Sequence, residues 1–67
     1  MSNDTPKPER FMRAREVVDR VGLSRASVYR QVDLGTFPAP IKISERSVAW
    51  RESEVDAWMG ALIEGAA

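Results

Sequence analysis

Residues 22–30 read GLSRASVYR, and three features of that stretch decide the fold. Gly22 takes the left-handed conformation that other residues resist, so it ends a helix. Ser24 starts the next one, because its side-chain oxygen accepts from the free amides of a first helical turn, worth about 1 kcal/mol. Val28 and, just beyond the stretch, Val32 stand four apart and set an inner face, with Leu23 before them. The spacing predicts a helix over Arg25–Leu34 with Gly35 as its C-cap. Tyr29 is expected at the edge of the inner face, its hydroxyl free for a partner.

Toward the N-terminus, Ala14, Val17, Val18 and Val21 line one side of a first helix over Ala14–Arg20. Its cap position holds Arg13, a poor capping residue, and Glu16 in the first turn compensates through the helix dipole. Only Val21-Gly22-Leu23-Ser24 separates the two helices. Two helices joined by a turn of three or four residues containing Gly form a helix-turn-helix. Phe11 and Met12 begin the fold as a short extended segment. Residues 1–9, MSNDTPKPE, are polar, carry two prolines and show no apolar pattern, so they read as a disordered tail.

Toward the C-terminus, Thr36 to Pro40 holds two prolines and fits neither a helix interior nor a central strand; Phe37 is its expected anchor. Ile41-Lys42-Ile43 and Ser47-Val48-Ala49-Trp50 alternate around Ser44-Glu45-Arg46, which predicts a β-hairpin, or wing. Its turn lacks Asn-Gly or Asp-Gly, so no turn type follows. Ser53 is expected to cap a last helix, with Asp56 three residues on as a variant capping box. Val55, Trp58, Met59, Leu62 and Ile63 then complete an amphipathic stripe, which runs past the helix-weakening Gly60.

The totals exclude several classes. Sixty-seven residues make one domain, small enough to be marginal without help. There is no cysteine and no histidine, so no disulfide, no Cys-based zinc site, and no Ser-His-Asp or Cys-His catalytic arrangement forms within the chain. No apolar run approaches the roughly 20 residues of a membrane span, and no signal core opens the chain. The expectation is a cytoplasmic protein that is not an enzyme and needs no cofactor or metal. The net charge is zero, but it is unevenly spread. Residues 24–51 carry five cations against two acids, whereas residues 52–67 carry four acids and no cation. Such asymmetry matters more than the total when one face meets phosphate.

In a helix-turn-helix the start of the second helix enters the DNA major groove. The candidate contacts there are Ser24, Arg25, Ser27, Tyr29, Arg30 and Gln31. Arg25, Ser27, Arg30 and Gln31 are read as facing away from Val28 and Val32. An arginine donates two bonds to guanine O6 and N7, and Ser or Gln bonds base edges or phosphate. In the wing, Lys42 and Arg46 suit the backbone or the minor groove, with Glu45 opposing a purely electrostatic role. Trp50 and Trp58 are assigned to the core rather than to base stacking, since a domain this small needs both rings. Glu52, Glu54 and Asp56 at a helix start are explained by the helix dipole rather than by a metal or acid–base site.

Two longer stretches, GLSRASVYR at 22–30 and VAWRESEVDAW at 48–58, resemble the AlpA family of prophage-associated regulators, which are related to excisionases and MerR-type proteins. The resemblance extends over about residues 10–63 and includes Phe11-Met12-Arg13 and Gly35-Thr36-Phe37-Pro38. It implies a winged helix-turn-helix of MerR/excisionase type, mainly α with a small β-hairpin, here over residues 10–64. It implies recognition positions at Ser24, Arg25, Ser27, Tyr29 and Arg30 and wing positions at Lys42 and Arg46. Many family wings have glycine where this chain has Ser44-Glu45. The function expected is sequence-specific regulation of transcription in a prophage or mobile element. The alternatives are an excisionase that bends DNA for an integrase and an adaptor that binds protein without DNA. Double-stranded DNA is the expected partner. A homodimer or cooperative assembly on DNA, and an integrase or another regulator, are the further expectations.

Overall fold

The computed structural model describes residues 9–66, so residues 1–8 of the expected tail lie outside the described residues. Six elements follow in order: β1 (Phe11–Met12), α1 (Ala14–Val21), α2 (Arg25–Leu34), β2 (Ile41–Ser44), β3 (Ser47–Arg51) and α3 (Glu52–Ala66). The two central helices form where the valine spacing places them. Val17 and Val28 are fully covered and face each other's neighbours in one core with Met12, Phe37, Trp50 and Val55. Ala14, Val18, Val21, Leu23 and Val32 pack around it.

The helix ends follow local chemistry. Gly22 closes α1 at φ 75°, and its N–H donates to Val18 O at 2.9 Å. Ser24 caps α2, its Oγ accepting from Ser27 N at 3.1 Å. Gly35 closes α2 at φ 79°. The Gly35 N–H donates to Val32 O at 3.0 Å and the Thr36 N–H to Gln31 O at 2.9 Å, the paired bonds of a Schellman ending.

The strands make one antiparallel sheet in the order β1-β3-β2. Phe11 and Met12 pair with Arg51 and Trp50, so the short segment before α1 makes β3 a central strand. The wing turn is the two-residue pair Glu45-Arg46, with Ser44 opposite Ser47. Neither turn residue has positive φ, so the turn is not one of the mirror-image types that match strand twist. A bulge at Ile43 accompanies it: Lys42 pairs with Val48 and Ser44 with Ser47, which leaves Ile43 as the extra residue.

Between α2 and β2 the chain has no regular partner, and two indoles hold it. Trp50 Nε1 donates to Pro38 O at 2.7 Å, and Trp58 Nε1 donates to Thr36 O at 2.8 Å. Phe37 lies edge-on to both rings, with centroids 6.5 Å from Trp50 and 4.7 Å from Trp58. The tryptophans thus serve the core, and Trp50 is completely buried.

The start of α3 differs from the expectation. The helix begins at Glu52, directly after β3, so Ser53 lies inside the first turn and is not its cap. Glu9 supplies the acceptors instead. Its carboxylate takes the Ser53 N–H at 3.2 Å and the Ser53 hydroxyl at 2.8 Å. Asp56 does not return to the helix start either; it pairs with Arg20 at 2.6 Å. The cause is the abrupt strand-to-helix change. Glu52 N still donates to Arg10 O at 2.8 Å, so the sheet carries the residues before Phe11 to the first turn of α3.

Two outcomes are expected. Trp50→Phe keeps a ring in the core but leaves Pro38 O without its donor. It should cost about 1–2 kcal/mol, read as a lower urea midpoint. The second concerns acid. The bonds from the Ser53 hydroxyl and amide hold the Glu9 carboxyl below its ordinary value of 4.5. A carboxyl lowered on folding stabilises the fold above its unfolded value and loses that contribution as pH falls through its folded one. Glu9→Gln should therefore flatten the acid side of a plot of Tm against pH. An unchanged acid slope would show that Glu9 contributes nothing to it.

Candidate nucleic-acid interface

The α2 start is built by its cap. Ser24 Oγ accepts the Ser27 N–H and also donates to Ser27 Oγ at 3.1 Å, so both hydroxyls already have a partner. Arg25, Ala26 and Arg30 are exposed. At about 100° per residue, Arg30 lies opposite the middle of the Val28–Val32 face, and Ala26 lies one turn before it on the same outer side. Arg25 differs from its expected placement. By phase it lies in line with Val28 and Val32, and it is exposed because it is the first residue of the helix. It leaves α2 at its N-terminal end rather than from its outer face.

Tyr29 and Gln31 have structural contacts. The Tyr29 ring meets Trp50 edge-on, with centroids 5.7 Å apart. Its hydroxyl makes no hydrogen bond among the described residues. Gln31 is half-buried at the end of α2. Its carbonyl receives the Thr36 and Phe37 amides, and its Oε1 lies 3.4 Å from Thr36 Oγ1.

The sheet pleat decides which way the wing faces. Lys42 is opposite Val48, and Val48 is two residues before Trp50, so all three share one face of the sheet. Tyr29 of α2 packs on Trp50, so that face is turned toward α2. Lys42 therefore lies on the α2 side of the wing, and Arg46 stands at its tip. Both are exposed, as are Ile43 and Val48 beside them. Sequence reasoning missed Ala26. It also missed the outward Ile43, which looked like one more residue of an alternating strand until the bulge turned it.

Ion pairing sorts the charges. Arg10 pairs with Glu16 and, at 3.0 Å, with Glu52. Bonds from Glu16 first and Glu52 second hold its guanidinium firmly protonated, above its ordinary value. Arg20 pairs with Asp56 and lies 3.8 Å from Glu52. Arg25, Arg30, Lys42 and Arg46 make no salt bridge among the described residues. Three acids, Glu16, Glu52 and Asp56, are thus committed at α1 and α3, while Asp33 of α2 and Glu45 of the wing turn stay beside these four.

An open groove of 390 Å³ lies between the α2–β2 connection and α3, and Glu54 is the one ionisable residue in its lining. Among the described residues no three acids gather as metal ligands, and no helix is long and apolar enough to cross a membrane.

Comparison with known proteins gives the family. A model of the prophage CP4-57 regulatory protein, AlpA, matches residues 10–63. The chain belongs to the AlpA family. It is 44% identical over 57 residues to the uncharacterized protein ORF88 of enterobacteria phage P4, covering 85% of this chain and 65% of that protein. It is 30% identical over 56 residues to the DNA-binding transcriptional activator AlpA of Escherichia coli K12, covering 75% of this chain and 80% of the activator. No solved structure matches significantly. The three helices and small antiparallel sheet agree with the winged helix-turn-helix that the resemblance implied.

Proposed function

We propose that this AlpA-family chain is a sequence-specific DNA-binding regulator of transcription in a prophage or mobile element, acting in the cytoplasm on double-stranded DNA. The start of α2 enters the major groove, and the β2–β3 hairpin grips the backbone or the minor groove. One observation carries the reading. Arg25, Arg30, Lys42 and Arg46 stand exposed on α2 and the wing and, like Arg13, Arg15 and Arg51, make no salt bridge among the described residues, while Arg10 and Arg20 are paired. The Escherichia coli relative, a DNA-binding transcriptional activator by name, supports it.

The roles divide by position. Arg25, at the leading end of α2, reads base edges with Ser27 beside it. Arg30 reaches phosphate one turn on. Ala26 keeps the outer side of the first turn low enough for close approach. Lys42 and Arg46 neutralise phosphate. Ser24 acts through its cap, and Tyr29 and Gln31 contribute mainly by holding α2 against Trp50 and Thr36. One such module reads few base pairs, so specific affinity calls for a second copy, tandem sites, or a partner such as an integrase or another regulator.

The three phosphate contacts of Arg30, Lys42 and Arg46 should give a slope of log K against log salt of about −3 per bound copy, at roughly −0.9 per contact. On the selected site against scrambled DNA, Arg25→Ala should lose about 1–3 kcal/mol of discrimination. Lys42→Ala should weaken both equally and lower the slope by about one. Equal losses on both sequences for Arg25→Ala would remove its base-reading role. No duplex binding even at low salt would leave the protein adaptor as the reading. Dependence of excision, rather than of a reporter promoter, on the protein would favour the excisionase.

A further inference from the structure

Helix α3 is longer than the body on which it packs. Val55 is fully buried, and Trp58 and Met59 pack on the core. One turn later the cover ends: Leu62 is 54% and Ile63 69% exposed. Met59, Leu62 and Ile63 recur at i, i+3 and i+4, so they share one face, the continuation of the stripe that Val55 begins. Single exposed aliphatic residues are ordinary on any surface. Two adjacent ones, extending the core stripe of so small a domain, leave an amphipathic face half covered.

Charge and size together select what covers it. Past Trp58 the described helix has one ionisable side chain, Glu64. At about 100° per residue it lies about 150° from the middle of the Met59–Leu62–Ile63 face. A two-fold contact sets a surface against itself, so any charge in the seam would meet its like. A neutral face suits a second copy, and it offers nothing to steer a charged partner. The size then limits the pairing. Two partly exposed aliphatic residues fall far short of the about 800 Å² per partner that a standard stable interface buries. Such copies pair only when something else holds them side by side. Neighbouring sites on one duplex do this by raising the effective concentration, toward the mM range for short connections.

We propose that the Met59–Leu62–Ile63 face joins two copies of this chain bound at neighbouring inverted sites on one duplex, giving cooperative binding without a stable dimer in solution. The proposal rests on the DNA-binding reading above and adds the partner and the seam. The double variant Leu62→Ser/Ile63→Ser tests it, since it adds no charge and alters residues that the fold leaves exposed. Binding is measured on a duplex of about 15 bp with one site, room for one copy, and one of about 40 bp carrying two such sites in inverted orientation. Sedimentation without DNA and circular dichroism accompany it.

The wild type should sediment as a monomer at micromolar concentration and bind the long duplex cooperatively. The double variant should fold, match the wild type on the short duplex, and need about tenfold more protein to fill the long one, a coupling of about 1.4 kcal/mol. Equal cooperativity in the two proteins, or none in the wild type, would overturn the seam while short-duplex binding keeps the DNA reading intact. A stable wild-type dimer without DNA would overturn the proposal as well. Failure of the wild type to bind either duplex would overturn both readings together.

Discussion

The fold depends on two indole nitrogens bonded to the backbone of one short connection. Between Gly35 and Ile41 the chain must leave α2, turn, and deliver a strand to the sheet. Pro38 and Pro40 have no N–H to donate, so neither helix nor ladder can organise the segment. Trp50 and Trp58 do so from outside it, by donating to Pro38 O and Thr36 O. The same rings bury Phe37. A polar anchor and an apolar one therefore act at the same place. The consequence is positional: the wing has a defined relation to α2 because its root is fixed from β3 and α3 together. A chain without disulfides, and with only 67 residues, has few other means of setting that angle.

Electrostatics repeats this division between framework and surface. The acidic start of α3 could have cancelled the cations of α2 and the wing. It does not, because Glu52 and Asp56 are engaged by Arg10 and Arg20 across the seam between α3, α1 and the chain before β1. The arginines and Asp56 are exposed and only the Glu52 carboxylate is mostly covered, so each pair contributes little to stability. Their larger effect is on where charge remains. With a total of zero, α2 and the wing still carry Arg25, Arg30, Lys42 and Arg46 against Asp33 and Glu45, so net charge alone says little about any one face.

The legible parts of the fold were those fixed by neighbours in sequence. Gly22, Ser24 and Gly35 act within one turn, and the Val28–Val32 pair needs only helical phase, so α2 could be read to its ends. The resemblance carried by GLSRASVYR and VAWRESEVDAW pointed to the family that the comparison then found. What could not be read came from across the chain. Ser53 has the chemistry of a cap, but Glu9, more than forty residues earlier, takes that role because β1 pairs with β3. The bulge at Ile43 follows from how a two-residue turn with negative φ is joined to twisted strands, and no residue type announces it. The candidate site was legible as a set of residue types and less so as a surface. Helical phase moved Arg25 to the end of α2, and the Schellman ending drew Gln31 to Thr36.

The overhang of α3 makes sense in that light. The first half of the helix is held on three sides: Trp58 by the connection, Val55 by the core, and Glu52 and Asp56 by the two arginines. Those contacts all lie within two turns, and they fix the helix axis relative to α2 without help from its second half. A direction set so firmly at one end is inherited by the other, since a helix of 15 residues is stiff over its roughly 22 Å. Leu62 and Ile63 are therefore presented at a fixed place relative to α2. The tryptophan that anchors the wing root thus also fixes where the exposed end of α3 points. A change at Trp58 would alter the geometry of the wing root and of the overhang at once, which on the proposed reading couples the grip of one copy to the placement of the next.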